Sequence, residues 1–360
     1  MSVHLKRIGY VDVMGGGQVN VRDGICFVGH INPPEGTTII DVRDPARPEQ
    51  LSQVKVPMNA HSHKVRSRPG LMLVNHEAFP EFNRSPELQG GLRLFDIEDL
   101  RAPREIGLFK TGGRGVHKFE FDGRYAYLST EWEGFQGNII VIVDLEDPLQ
   151  PREVSKWWLP GQWIAGGETP TWDGVGVRVH HPVRKGDRLY VGCCHGGMAI
   201  VDVSDITRPK MLSRHPLHGY FSHTVMPIED EAGNPFVVAV DEGYWDEKGA
   251  FTCLDISDLA NPQIVATVSA PPGPTRGIWE PHQPHEEIIE DHAFVAWFSD
   301  GLRVINVRDP RHPVVVAHHV PQMRSEFGPL SNDCFVDKAT QRVYLLDRVR
   351  GLEILEYEIG

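Results

Sequence analysis

The chain has 360 residues, 40% of them hydrophobic and 24% charged, the composition of a globular protein with a full core. A formal charge of −13 argues against a nucleic-acid partner, and no apolar run or signal-peptide-like start (MSVHLKRIGY) points to a membrane. Five cysteines, an odd number with no CxxC pair, suit reduced thiols in a cytoplasmic protein.

In chain order, Leu5–Val13 (LKRIGYVDV) has the pattern of an outer β-strand and precedes the first hairpin. Seven apolar strands then end in an acidic or amide residue at Asp41, Asp96, Asp144, Asp202, Asp255, Asn306 and Glu356. Six of them run into a turn closed by Pro48, Pro103, Pro151, Pro209, Pro262 or Pro313. Aspartate before a turn and proline within it favour chain reversal through side-chain capping and a fixed φ. A hairpin precedes each of these strands and a further strand follows each turn. Four antiparallel strands in a period of about fifty residues are the signature of propeller blades. The seventh unit stops without its last strand, which the N-terminal strand can supply. The expected fold is an all-β, seven-bladed β-propeller occupying residues 1–360 as one domain, closed by its N-terminal strand.

The phrases VIVDLEDPLQP, AIVDVSDITRP and CLDISDLANP resemble those of the LVIVD-repeat proteins, a family of predicted β-propellers, with Asn306 and Glu356 departing from the motif's aspartate. The motif lies on outer strands and turns, so the resemblance implies an architecture and little about function.

The third hairpin, GVHKFEFDGRYAYLSTEWEG, starts at His117, turns at Asp122-Gly123 and returns to Glu131. Aligning the hairpins puts a histidine at the start of the first, channel-lining strand in five blades: His63, His117, His181, His223 and His285. Neutral imidazoles brought together around one channel mouth suit a transition metal. On the second strands, Glu77, Glu131 and Glu242 are expected to return beside His63, His117 and His223, each carboxylate orienting an imidazole. His195 takes the corresponding position in the fourth blade. The long loop Trp157–Val179 carries Trp163 and Trp172 and reads as a lid over an apolar or aromatic substrate, and Arg324 as a hold for a substrate carboxylate.

Several histidines with three outer glutamates on a propeller are similar in layout to the carotenoid cleavage oxygenases, which implies iron. Selenium-binding proteins with methanethiol oxidase activity are a second similar layout, which implies copper on histidines. None of the carotenoid cleavage oxygenases' sequence motifs is present, and both likenesses are analogies of layout. The expected function is therefore a metal-dependent oxidoreductase, with Fe(II) preferred over Cu, acting on a small hydrophobic or aromatic molecule. A Zn- or Mn-dependent lyase or hydrolase with Glu131 or Glu242 as base is the alternative, and a non-catalytic propeller that binds a protein partner is the third.

Overall fold

The six aspartate turns show why this sequence folds into repeats. In each, the strand-end side chain accepts the backbone N–H two residues on: Asp41 from Arg43, Asp96 from Glu98, Asp144 from Glu146, Asp202 from Ser204, Asp255 from Ser257 and Asn306 from Arg308. Three residues further, a second aspartate repeats the device, as Asp44 does for Ala46 and Asp258 for Ala260. Side chains thus supply acceptors that the turning backbone would otherwise lack. Asn306 keeps this bond with its amide oxygen, so its departure from aspartate costs no turn geometry.

The computed structural model describes residues 2–79, 88–170, 172, 176–217, 221–243, 249–269, 277–322 and 328–360. It is almost all strand, with one 3-10 turn at Ile164–Gly166 among the described residues. Among the described residues the strands form six antiparallel sheets, one of eight strands whose two halves are linked by the Cys194–Ser222 pair, an arrangement consistent with seven blades. Blade 3 is regular: Val116–Phe121, Tyr125–Glu131, Asn138–Asp144 and Arg152–Trp157 pair in sequence order. Blade 2 has an interrupted first strand, Ala60–His61 and Val65–Arg68, with both pieces pairing on Leu71–Ala78. In blade 7, the N-terminal strand Val3–Val11 pairs with the C-terminal strand Gly351–Ile359, so the two chain ends share one sheet. That pairing removes the open sheet edge the seventh unit would otherwise expose.

The core lies between blades. Seven buried clusters each join two neighbours around the ring, the last joining Val19, Val28 and Ile40 of blade 1 to Tyr344, Leu346 and Ile354 of blade 7. The strands are consequently apolar on both faces, as Ile139–Val143 illustrates. No helix among the described residues is long and apolar enough to cross a membrane.

The first strands line the channel, and their polar residues are buried there. Gln18, Lys64, Lys118, His181, Thr224, Gln283 and Asp333 each contribute a polar side chain from a different blade. Lys118 is wholly buried and donates from Nζ to Gln283 Oε1 at 2.6 Å.

Candidate metal centre

One residue before this polar layer, the first strands of blades 1, 3, 5 and 7 carry the same β-bulge. The register slips between Gly16 and Gln18, Val116 and Lys118, Ser222 and Thr224, and Ser331 and Asp333. The extra residues are Gly17, His117, His223 and Asn332. A bulge places an unpaired residue and re-aims its side chain, here at the channel mouth. In blades 2, 4 and 6 the equivalent residues are His63, His180 and His282, each just before Lys64, His181 and Gln283. Gly17 leaves room for its neighbour, since a Cβ there would meet His63 Cβ at 2.6 Å.

Five imidazoles therefore follow one another around the mouth. Ring centroids are 5.3 Å apart for His63–His117, 4.9 Å for His117–His180, 4.1 Å for His180–His223 and 4.6 Å for His223–His282. A sixth, His61, stacks on His63 at 3.7 Å. Together with Glu242, Lys64, Arg178, Arg348, Ile31, Phe79 and Phe221 they line a cavity of about 480 Å³.

The outer hydrogen bonds fix the tautomers. Glu77 Oε2 accepts from His117 Nδ1 at 2.9 Å and from His61 Nδ1 at 3.1 Å. It reaches His61 because the two residues are register partners, and His117 because Glu77 bridges to Gly115 of the next blade. Burial pushes the Glu77 carboxyl up, but the His117 and His61 contacts outweigh it, and the carboxyl lies well below its ordinary range. His180 Nδ1 donates to the His223 carbonyl at 3.2 Å, and His282 Nδ1 to the Asn332 carbonyl. A carboxylate and a carbonyl can only accept, so in these neutral rings Nδ1 carries the proton and Nε2 a bare lone pair. Burial, the largest cause in each case, holds His117 down to about 4 and His63, His180, His223 and His282 well below the ordinary histidine value.

The inward atoms are left without protons to share. His117 Nε2 lies 3.1 Å from His180 Nε2, two acceptors face to face. His61 Nε2 and His63 Nδ1 are buried with no hydrogen-bond partner among the described residues. Two groups of three donors have their nearest atoms within 4.8 Å of one another, His61–His63–His117 and His180–His223–Glu242. Burial raises Glu242 above its ordinary value, and its Oε1 stands 3.6 Å from His282 Nε2.

Of the expected ligands, His63, His117 and His223 lie in this cluster, and His181 and His285 do not. His181 sits one residue deeper, its Nδ1 3.1 Å from Thr224 Oγ1. His285 is three residues deeper, packed edge-on to Phe335 and lining a cavity of about 740 Å³ at the other end of the channel. The residues that take the mouth positions are His180 and His282. Blade 4 keeps the eight-residue spacing, but its second strand starts at Arg188 and not at Leu189, and blade 6 has a longer turn through Glu290 and Asp291, both at positive φ. His61 has a visible cue in His-Ser-His, but its inward aim depends on the interrupted strand of blade 2.

The glutamates also divide. Glu77 orients His61 and His117 instead of the expected His63, and Glu242 faces the ring itself. Glu131 turns away from His117 and accepts the Arg114 backbone N–H at 2.9 Å. Gly113 at φ +53° permits that turn, because a Cβ there would meet Glu131 Oε2 at 1.9 Å. His195 packs edge-on against Phe221 at 5.1 Å, behind the cavity wall. Trp163 stacks near Phe135 and Trp158 and is 41% exposed, and Trp172 packs on the core between blades 3 and 4, so neither lines the cavity. Arg324 lies outside the described residues.

The sequence matches the LVIVD repeat over residues 184–215 and 232–270. No curated protein matches it. Solved structures similar in fold include the C-terminal WD40 domain of Sif2 (TM-score 0.62, 10% identity, 99% of each chain covered). The N-terminal domain of Nup159 is also similar (TM-score 0.60, 10% identity, 99% of this chain and 96% of that one). So is the computationally designed protein Ika8 (TM-score 0.56, 9% identity, 97% of this chain and 99% of that one). The chain carries LVIVD repeats on a β-propeller fold.

Proposed function

We propose that the histidine mouth holds a transition metal ion and that the protein is a metal-dependent oxidoreductase acting on a small, largely apolar molecule. The observation that carries this reading is the His117–His180 pair. Two bare nitrogens 3.1 Å apart repel one another, unless a cation lies between them. Ligands held roughly 2.1 Å from one ion at tetrahedral to octahedral angles are themselves roughly 3.0–3.4 Å apart. The donor set also fits: imidazoles with one carboxylate suit Fe, Cu or Zn. His180, His223 and Glu242 offer two histidines and one carboxylate, the combination associated with Fe(II) and open coordination positions, and so favour Fe(II).

When bound, such an ion supplies redox or Lewis-acid chemistry. The chain's own residues do the rest. Glu77 fixes the orientation of His61 and His117 and strengthens them as donors. The His223 and Asn332 carbonyls do the same for His180 and His282. Phe79, Phe221 and Ile31 exclude water from one side of the cavity. If Glu242 stays off the ion, its carboxylate faces the ring beside His282 and is available to take a proton from a bound molecule. That placement favours, as a second reading, a Zn- or Mn-dependent hydrolase or lyase at the same site.

Nitric oxide separates the two. Chelator-treated protein reloaded with Fe(II) under anaerobic conditions should give a quartet-spin electron paramagnetic resonance signal with nitric oxide, and His180→Ala should abolish it. Bound Fe(II) with no such signal would show a closed coordination sphere and contradict the oxidoreductase reading. Ester hydrolysis by the Zn-loaded protein would then support the second.

A further inference from the structure

The metal mouth is electrostatically unbalanced. Its cavity is lined by three basic side chains, Lys64, Arg178 and Arg348, and one acidic one, Glu242. Glu77, behind the ring, is already engaged by two imidazoles. The permanent cations at the cavity wall are the two arginines, whose guanidinium groups stay charged at any ordinary pH. A divalent ion would add to their charge.

The arginines are half-buried, and neither forms an ion pair with a carboxylate among the described residues. Arg348 is held in place by neutral contacts: its Nε bonds Asn332 Oδ1 at 2.5 Å, and its guanidinium lies 5.3 Å from the Phe298 ring centroid. Arg178 is steadied by the Cys194 side chain, two residues before His180. Both therefore present guanidinium N–H groups to the cavity from fixed positions. Elsewhere in this chain, arginines near carboxylates pair with them, as Arg66 does with Glu286 and Arg93 with Glu105. Two positioned guanidinium groups, near Glu242 but ion-paired to no carboxylate among the described residues, stand beside an apolar wall of Phe79, Phe221 and Ile31 and suit a bound anion.

Building on the metal-site reading, we infer that the molecule taken up at this mouth is a small organic acid, its carboxylate held by Arg178 and Arg348 and its apolar or aromatic body against Phe79 and Phe221. A cavity of about 480 Å³ accommodates such a molecule beside the ring. Planar, forked donors select carboxylate over a neutral group of the same shape, because an unpaired guanidinium in a partly desolvated wall penalises the neutral ligand.

The test is calorimetric, on full-length protein in both the chelator-treated and the Zn-loaded form, with metal content measured independently on every sample. Benzoate and 3-phenylpropanoate should bind, and benzyl alcohol and 3-phenylpropanol should bind at least about tenfold more weakly. Inorganic phosphate is included to separate a carboxylate site from a general anion site, and should bind more weakly than 3-phenylpropanoate. Arg178→Met and Arg348→Met should each weaken 3-phenylpropanoate by about tenfold or more while keeping the wild-type metal content and melting temperature. Equal binding of acid and alcohol, tighter binding of phosphate, or wild-type affinity in both arginine variants would overturn the inference. Absence of metal uptake with arginine-dependent binding of 3-phenylpropanoate intact would sink the metal reading and leave the anion site standing.

Discussion

The two ends of the channel are built from the same strands and carry opposite chemistry. At one end, the bulge residues present imidazoles whose outer nitrogens are satisfied and whose inner nitrogens are not. At the other, Arg66 Nη2 lies 2.6 Å from Glu286 Oε1 and 3.5 Å from Glu120 Oε2, with His181 Nε2 3.9 Å from Glu286 and 3.6 Å from Glu120. Glu120, His181 and Glu286 also stand close enough together to suggest a metal group. The guanidinium already occupies the centre of that group, so the charge is balanced by the chain itself. Proximity of donors is common to both ends, and what distinguishes them is whether a protein cation already fills the space. The arginine end still leaves His181 Nε2 without a hydrogen-bond partner among the described residues, but its carboxylates are paired, whereas the facing nitrogens at the mouth are not.

The largest expected break in this contrast comes from removing a facing nitrogen. His117→Ala or His180→Ala should lower metal affinity by more than about a hundredfold, read by competition with a chromophoric chelator, because each removes a direct donor. At the other end, Arg66→Met should leave metal affinity unchanged but destabilise the fold by about 3 kcal/mol, measured in urea, since it strands two part-buried carboxylates. The same variant sharpens the pH response. In the wild type, burial raises Glu286, but Arg66 with His181 and Lys118 outweighs it and holds the carboxyl at about 2. That depressed carboxyl contributes stability that is present above the ordinary glutamate value of about 4.3 and fades as pH falls towards about 2. Without Arg66 the contribution is absent at neutral pH, so melting curves of variant and wild type should converge as pH drops from 5 towards 3.

A smaller effect is expected one step behind the ligands. Glu77→Gln should weaken metal binding by about 10- to 100-fold while keeping the ring in place, because it loosens the orientation of both His117 and His61. Glu131→Gln, its counterpart in blade 3, should leave metal affinity at the wild-type value, as should His181→Ala and His285→Ala. An equal loss from Glu77→Gln and Glu131→Gln would show that the two glutamates play the same part, against their different positions in the structure.

The architecture was legible because it rests on local chemistry. The spacing of Asp41 and Asp44, repeated through Asn306 and Asp309, specifies a turn whose hydrogen bonds all form within a few residues. The missing strand of the seventh unit and the unpartnered N-terminal strand also pointed to their own pairing. The mouth was legible only in part, because its side chains are aimed by bulges and bulges leave no residue signature here. A fixed spacing of eight residues finds His117, where the turn is tight. It slips by one at His180, where the second strand starts at Arg188 and not at Leu189, and by three at His282, where the hairpin is also longer. Glu77 and Glu131 hold equivalent positions in the sequence, yet a glycine at Gly113 lets one of them cap a backbone amide instead of an imidazole. Arg348 reads from the sequence as a rim residue without a repeat position, and Arg178 escaped notice because it lies at a strand start in a blade whose alignment was set by histidines.

The central claim is that the His117–His180 mouth is a metal site and the Arg66 mouth is not. Its most direct measurement is the metal content, by elemental analysis, of untagged protein purified without metal-affinity steps and re-equilibrated with Fe(II), Cu, Zn and Mn in turn. About one equivalent of a transition metal, lost in His117→Ala and His180→Ala and retained in His181→Ala, is the predicted result. Less than about a tenth of an equivalent with every ion, or a full equivalent retained in both mouth variants, would contradict it.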